Sequence, residues 1–278
     1  MKYRSSDDST CISLRTRAGA VHHINRSVLS NKSGLFSTLL SLPQPHGCSS
    51  DALDVWEEDS QLCQLLGLMN GDPIHPASFH ELSSLLELAE KWDCTELIHQ
   101  IRNTSLLNPF IAKHPLQSFA LARYFNWTEE AKRASEASLW LDFDDPINAG
   151  VIVNMSAEDS AALLGLREKR CGMFQHLLES PQRFPMANGP SYYCIACGRS
   201  SAQDSYWSSF KSALTTELCR RPSGVGVLTL LSGGATCLEA EVLWRASCST
   251  VTCGAKRFDK RLTLQLIKAC FDVLPVSI

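Results

Sequence analysis

Cysteines are the residues of this sequence whose type and spacing could do chemistry. Seven of the twelve lie in the last third of the chain, at positions 194, 197, 219, 237, 248, 253 and 270. Cys194 and Cys197 form a CxxCG knuckle, a spacing at which both sulfurs reach one metal ion. Cys248 and Cys253 form a wider CxxxxCG pair with a glycine in the same place. The two pairs together predict a structural zinc site. Its ligands would all be cysteines, because no histidine follows His176 in the sequence.

Two other interpretations of these cysteines stay open. They could be small buried hydrophobic residues in which the CxxC spacing is accidental. A thioredoxin-like redox use is less favoured, because no βαβ pattern surrounds the CxxC segment. Disulfides are not expected, since the polar start MKYRSSDDST is not a signal peptide and thiols stay reduced in the cytosol or nucleus.

Amphipathic helices are expected ahead of the cysteine pairs. Apolar residues recur at helical spacing through residues 109–180, and each run begins with a Pro, Thr or Ser start signal. The segment 180–191, SPQRFPMANGPS, contains three prolines and one glycine and is typical of a linker. A helix from Tyr206 to Cys219 would bridge the two cysteine pairs. Trp92, Trp127 and Trp140 fall on helical faces and are expected in the core.

The N-terminal segment predicts a small sheet followed by a helix. Ile12 and Leu14 alternate with polar residues, Gly19 supplies a turn, and residues 21–24 resume the alternation, so the pair predicts a β-hairpin. Apolar residues then recur at helical spacing until Pro43 ends the run. Ser30 or Ser33 is expected to cap this helix. The spacing predicts burial of Leu35, Phe36, Leu39 and Leu40.

A strand–turn–strand–helix with VLSNKSGLFSTLL at its corner resembles the start of a BTB/POZ domain. The family pattern "vLs..S..F...l" is matched here by Val28, Leu29, Ser30, Ser33, Phe36 and Leu39. Residues 89–92, AEKW, followed by a second helix, resemble the helical hairpin that the family writes as AxKY. The chain departs from the family at Cys11, where an acidic residue is frequent, and at Asn25, where a histidine is frequent. The downstream arrangement looks most like the BTB-containing proteins abundant in mushroom-forming basidiomycete fungi.

The resemblance implies an α+β fold with a defined order of parts. A disordered tail over 1–10 would precede a BTB/POZ-like small sheet covered by helices over 11–107. An α-helical extension over 108–180, a linker over 181–191 and a Cys-rich, mostly helical C-terminal module over 192–278 would follow. BTB domains pair with themselves, and some dock on a cullin scaffold so that a second region presents a target for ubiquitin transfer. The resemblance therefore implies a protein-interaction adaptor whose partners are other proteins, a second copy of the chain or a cullin.

Charge is distributed unevenly along the chain. Residues 1–181 hold 15 Lys and Arg against 23 Asp and Glu, a net of −8, whereas residues 182–278 hold 11 against 6, a net of +5. No dense basic run or basic–aromatic stripe of the kind found in nucleic-acid binders accompanies this excess, so nucleic acid is not the expected partner. The alternative is a transcriptional regulator whose basic, Cys-rich C-terminal module contacts DNA.

Sequence motifs of common enzymes and of membrane spans do not occur. The chain has no G-x-S-x-G elbow, no GK[ST] phosphate loop and no HExxH pair, and we expect no catalytic activity. No apolar segment approaches the ~20 residues that cross a bilayer. A cytoplasmic or nuclear protein without a membrane partner is therefore predicted.

Overall fold

The computed structural model describes residues 11–43, 52–189, 191–201, 205–232 and 237–278. The chain divides into two compact units, Met1–His114 and Pro115–Ile278, which we call the first and the second unit. The tail predicted to be disordered, residues 1–10, lies outside the described residues. Within the described ranges, no helix has the length and apolar character needed to cross a membrane.

The first unit contains a three-stranded mixed sheet. Strands β1 (Cys11–Arg15) and β2 (Val21–Asn25) pair antiparallel with Ile12 opposite Ile24. Gly19 in the turn has φ +87°, a conformation that glycine adopts without strain. Strand β3 (Leu53–Asp54) pairs parallel with β1, so the order is β2-β1-β3. The predicted hairpin and the α+β class are confirmed.

Six helices accompany the sheet in the described part of the first unit. They are α1 (Arg26–Lys32), α2 (Gly34–Ser41), α3 (Asp59–Asn70), α4 (Phe79–Lys91), α5 (Thr95–Asn103) and α6 (Asn108–Lys113). Side-chain oxygens of Asn25, Ser33 and Ser78 cap α1, α2 and α4, which satisfies backbone N–H groups that have no partner within the helix. Leucines of α3 and α4 supply much of the core, including Leu62, Leu65, Leu82, Leu85 and Leu86.

The corner between α1 and α2 is fixed by contacts with the end of α4. The Ser33 hydroxyl donates to the carbonyl oxygen of Trp92 at 2.5 Å and accepts from the Phe36 N–H. Phe36 meets the Trp92 ring edge to face, with the ring centroids 4.8 Å apart. Of the two caps that the sequence left open, Ser33 caps a helix, although the predicted single helix is divided there into α1 and α2. Ser33 also ties two distant segments together.

Burial along α2 differs from the sequence expectation. Phe36 is buried, Leu40 is half-buried, and Leu35 and Leu39 are exposed. A helix of eight residues that is covered on one side buries a narrow stripe, and Phe36 occupies that stripe against Trp92. The prediction of burial was therefore correct for Phe36 and wrong for Leu35 and Leu39.

The second unit is mainly helical. Its helices are α7 (Pro115–Tyr124), α8 (Thr128–Ser138), α9 (Pro146–Val153), α10 (Ala157–Glu179), α11 (Pro185–Asn188), α12 (Tyr206–Arg220), α13 (Val225–Ser232), α14 (Leu238–Arg245) and α15 (Lys260–Phe271). A short antiparallel pair, β4 (Tyr192–Tyr193) and β5 (Ser200–Ser201), lies between α11 and α12. Phe174, Phe210, Leu214 and Ile267 are fully buried in a core shared by α10, α12 and α15.

Part of the range interpreted as a linker packs into this core. Phe184 and Ala187 are buried, and the Trp207 indole N–H donates to the Asn188 side-chain oxygen at 3.0 Å. The segment is rich in proline, yet Pro185 begins the short helix α11 rather than a free connection. Residues 115–278 form one compact unit, and the divisions after residues 107, 180 and 191 stay predictions.

The three tryptophans placed in the core by helical spacing do not share one environment. Trp92 and Trp127 are buried, but Trp140 is 64% exposed. Helix α8 ends at Ser138, so Trp140 lies in the turn that follows and the helical period no longer decides which way it faces. The prediction for Trp140 was wrong for that reason.

Candidate metal centre

The four predicted ligands come together in the second unit. The Sγ atoms of Cys194, Cys197, Cys248 and Cys253 all lie within 4.8 Å of one another. Two of the separations are 3.7 Å, from Cys194 to Cys253 and from Cys197 to Cys248. Both pairs therefore contribute to one cluster, which could hold a metal ion.

The sulfur separations match a tetrahedral metal better than a disulfide. A Zn–S bond of ~2.3 Å in a regular tetrahedron places neighbouring sulfurs ~3.8 Å apart, whereas a disulfide needs ~2.05 Å. The observed 3.7 Å agrees with the tetrahedral edge. None of these four cysteines is joined in a disulfide.

The first knuckle is a tight turn held between β4 and β5. Tyr193 pairs with Ser200, and the Cys194 N–H donates to the Arg199 carbonyl at 2.9 Å. The Gly198 N–H closes the turn on the Cys194 carbonyl at 2.8 Å, with φ +70° at Gly198. The glycine of the CxxCG motif is required because a residue with a Cβ is strained in this conformation.

The second knuckle repeats this construction with a longer turn. Ser247 forms an isolated bridge with Lys256, and the Cys248 N–H donates to the Ala255 carbonyl at 2.8 Å. The Cys253 N–H closes the inner turn on the Thr250 carbonyl at 2.9 Å, and Gly254 has φ +61°. The second knuckle has two more residues between its cysteines than the first, and the inner turn accommodates them. Both of its sulfurs therefore still reach the cluster.

Thr250 is a site residue that the sequence reasoning missed. Its N–H donates to Cys248 Sγ at 3.5 Å, and its hydroxyl lies 3.9 Å from Cys197 Sγ. Backbone N–H groups that point at sulfur stabilise the thiolate form. Thr250 could have been found from the sequence, because it lies two residues after Cys248. Knuckle turns direct the N–H at that position toward the sulfur of the cysteine.

The thiols influence one another's ionisation. The Thr250 N–H and hydroxyl lower the pKa of Cys248. The Ala255 N–H favours the Cys253 thiolate, but removal from water and the three other sulfurs outweigh it and raise the pKa of Cys253 to about 11. Thiols this close cannot all ionise without a cation between them, so a bound divalent metal would displace protons from the cluster.

The cluster has the character of a closed structural site. Cys194 and Cys248 are buried, and Cys197 and Cys253 are half-buried and pack against them. Four protein ligands complete a tetrahedron and leave no position for a substrate, unlike the three-ligand sites of zinc enzymes. In the part of the chain that the structure describes, these thiols are the one group of three or more His, Cys, Asp or Glu side chains close enough to share an ion.

Two of the other three C-terminal cysteines belong to the helical packing. Cys237 and Cys270 are buried in the core of the second unit, and Cys219 is exposed on α12. Burial raises the pKa of the Cys237 and Cys270 thiols, which keeps them protonated and inert at neutral pH. The interpretation as small hydrophobic residues therefore fits Cys237 and Cys270, and the ligand interpretation fits the four knuckle cysteines.

Comparisons with protein-family models and with curated proteins found no match for this sequence. Any argument about function therefore rests on the motif residues, the elements they form and the geometry of the cysteine cluster.

Proposed function

We propose that this chain is a non-catalytic protein-interaction protein. Its first unit acts as a BTB/POZ-like domain that self-associates or docks on a cullin scaffold, and its second unit is held together by a structural zinc ion. The observation that carries the first part is the topology: a hairpin, two short helices and a third strand parallel to β1, followed by helices α3 to α6.

The contacts of the corner residues support this assignment. Leu29, Ser33 and Phe36, which match the family's "vLs..S..F" pattern, are all buried. Ser33 and Phe36 both contact Trp92, the aromatic residue at the end of the AEKW segment. The two stretches that resemble the family are thus packed against each other, which is expected if they form one structural motif.

An apolar face of α2 offers a surface for a partner. Leu35 and Leu39 are exposed and four residues apart, so they lie on the same side of the helix, and Leu42, which follows the helix, is also exposed. Apolar side chains grouped in this way mark interaction sites more often than single exposed leucines do. We assign this face to self-association or to cullin binding.

The function is tested with the full chain and one matched pair of variants. Light scattering after gel filtration measures self-association, and capture by an immobilised cullin N-terminal region measures docking. Leu39→Glu should abolish whichever complex forms, while Ser37→Glu, an exposed change on the same helix, should leave it intact. A monomer that captures no cullin would rule out the adaptor function. DNA binding that falls steeply with added salt would instead favour the transcriptional regulator.

Zinc is the metal that the cluster favours. Thiolate sulfur selects soft or borderline metals, and a tetrahedral set of four cysteines is the usual ligand set of structural Zn²⁺. Its role would be to fix the two knuckles against each other, and the free energy of binding would add to that of folding. A set of reduced ligand thiols is consistent with a cytoplasmic or nuclear location, which we propose for the chain.

A further inference from the structure

A cavity of about 430 Å³ lies beside the metal centre in the second unit. Its walls come from α11, the two knuckles, α12 and α15. A volume of this size falls in the range of ~300–1,000 Å³ that small-molecule sites occupy. Phe184, Ala187 and Trp207 belong both to the lining of the cavity and to the core of the second unit.

Aromatic rings form the floor of the cavity. Trp207 and Phe184 have ring centroids 5.0 Å apart, and Trp207 and Phe258 lie nearly parallel at 6.2 Å. The Trp207 indole N–H is already bonded to Asn188, so the ring contributes an apolar surface rather than a donor. Aromatic surfaces of this kind give a small ligand a large contact area at a low entropy cost.

The rim of the cavity is apolar and open to solvent. Leu262 on α15 is 53% exposed, and Met186 on α11 and Ile195 in the first knuckle are also exposed. A soluble domain gains nothing by holding these side chains in water, and such exposed groups recur where a ligand covers them.

The charges around the cavity are close to balance once zinc is bound. Three cations line it, Arg183, Lys256 and Arg257, and one carboxylate, Asp259. Four thiolates around Zn²⁺ carry a formal charge of −2, and Cys194 is itself part of the wall. The cations thus offset Asp259 and the metal centre, and little net charge remains to attract an ionised ligand.

From the volume, the aromatic floor and the balanced charge, we propose that this cavity binds an uncharged, predominantly apolar small molecule. Its rings or alkyl chain would lie on Trp207 and Phe258 and would be covered by Leu262. A ligand site here goes beyond the proposed adaptor function. The balance of charges around the cavity depends on the proposed zinc ion. The cysteine knuckles would then have a second role, because residues 194–196 and 255–258 form one wall of the ligand site.

Two fluorescent probes of matched shape test the proposal on the full chain. N-phenyl-1-naphthylamine is neutral, and 8-anilinonaphthalene-1-sulfonate is nearly the same molecule with an added sulfonate. The neutral probe should bind saturably to one site. The affinity of the sulfonated probe should not exceed that of the neutral probe by tenfold or more. Leu262→Glu should weaken the neutral probe at least about tenfold, because a carboxylate would have to be buried against it.

The variants are chosen so that folding is preserved. Leu262 is the third residue of α15, where glutamate favours the helix start, so Leu262→Glu should fold normally. Leu262→Gln introduces a side chain of nearly the same shape as glutamate but without its charge, and it should weaken binding of the neutral probe only a few-fold. Leu238→Glu changes a residue of α14 that is 70% exposed and outside the cavity, and it should leave binding unchanged.

Several outcomes would overturn the proposal. These are no saturable binding, binding that Leu262→Glu does not alter, or sulfonate affinity at least about tenfold higher than that of the neutral probe. A concentration-dependent dimer that the probe dissociates and Leu262→Glu abolishes would assign the cavity to a second copy of the chain. Zinc content measured on the same samples separates the failure of the cavity proposal from the failure of the zinc proposal. A sample that contains zinc but does not bind the probe rejects the cavity proposal alone.

Discussion

Cys194 and Cys253 lie 59 residues apart in the chain, and their Sγ atoms are 3.7 Å apart. Helices α12, α13 and α14 occupy the intervening segment, so the cluster closes a long loop around much of the C-terminal core. Closing a loop of this length costs conformational entropy, which favourable packing or a bound metal must offset. A metal ion bound at this cluster would therefore help to hold the second unit together.

Metal content is the most direct prediction. Purified full-length chain should contain about one Zn per chain, as expected for a single tetrahedral site, measured by elemental analysis. Cys194→Ser should abolish metal binding and lower the midpoint of thermal unfolding of the second unit. Cys63→Ser changes an exposed thiol in the first unit and should have neither effect. Protein purified without chelators that contains no zinc or other thiophilic metal would contradict the assignment.

Phe36 should be a principal stabilising residue of the first unit. Phe36→Ala removes a buried ring that packs on Trp92 and should lower the free energy of unfolding by about 3–5 kcal/mol. Leu39→Ala on the same helix removes a side chain that is 43% exposed and should cost less than about 1 kcal/mol. Urea unfolding of both variants measures the difference. Equal costs for the two substitutions would show that α2 does not pack as described.

Arg170 should hold three segments of the second unit together. Its Nε donates to the Pro222 carbonyl at 2.5 Å and its Nη1 to the Pro275 carbonyl at 2.7 Å, and the side chain is buried. Arg170→Met keeps the approximate length and leaves both carbonyls without this donor. Each hydrogen bond to a charged group contributes ~1.5–3 kcal/mol, so the second unit should lose several kcal/mol of stability.

The control for Arg170 is the neighbouring cation on the same helix. Lys169 is exposed, and Lys169→Met should change the free energy of unfolding by less than about 0.5 kcal/mol. Chemical denaturation with circular dichroism compares the two variants. A loss for Arg170→Met no larger than that for Lys169→Met would mean that the two carbonyl contacts contribute little.

The sequence predicted those features that local chemistry decides. Alternation, Gly19 and the Ser33 cap indicated the hairpin and the start of α2, since each depends on a few neighbouring residues. The two cysteine knuckles were also predictable, because the spacing of two cysteines and a glycine determines the shape of a knuckle. That the two knuckles meet depends on the packing of the helices between them, which spacing alone does not encode.

Features that depend on tertiary packing were predicted less well. Leu39 and Trp140 look like core residues by periodicity, but which side of a helix is covered depends on distant elements. The proline-rich segment around Phe184 looked like a linker, although Phe184 and Ala187 pack into the core. Arg170 carried no sequence signal, because its partners are carbonyl groups 52 and 105 residues away.

Alkaline pH should destabilise the first unit through Cys94. This thiol is buried beside Trp92, and burial raises its pKa from 9.0 to about 11 in the folded state, with the Ser33 hydroxyl partly opposing the shift and Asp93 adding to it. The folded state therefore holds the proton to higher pH than the unfolded state does. The resulting stability is fully present below pH ~9 and is lost as the pH rises from 9 toward 11. The ¹⁹F signal of 5-fluorotryptophan at position 92 would report urea unfolding of this unit across that range.

Two cysteine variants isolate this contribution from the titration of lysines. Cys94→Ala should be less stable than the parent chain at pH 8, because it leaves a small cavity, and its stability should fall less between pH 9 and 11. Cys63→Ala, which changes an exposed thiol of the same unit, should follow the parent curve. If Cys94→Ala and the parent chain lose stability in parallel across this range, the thiol is not held protonated by the fold.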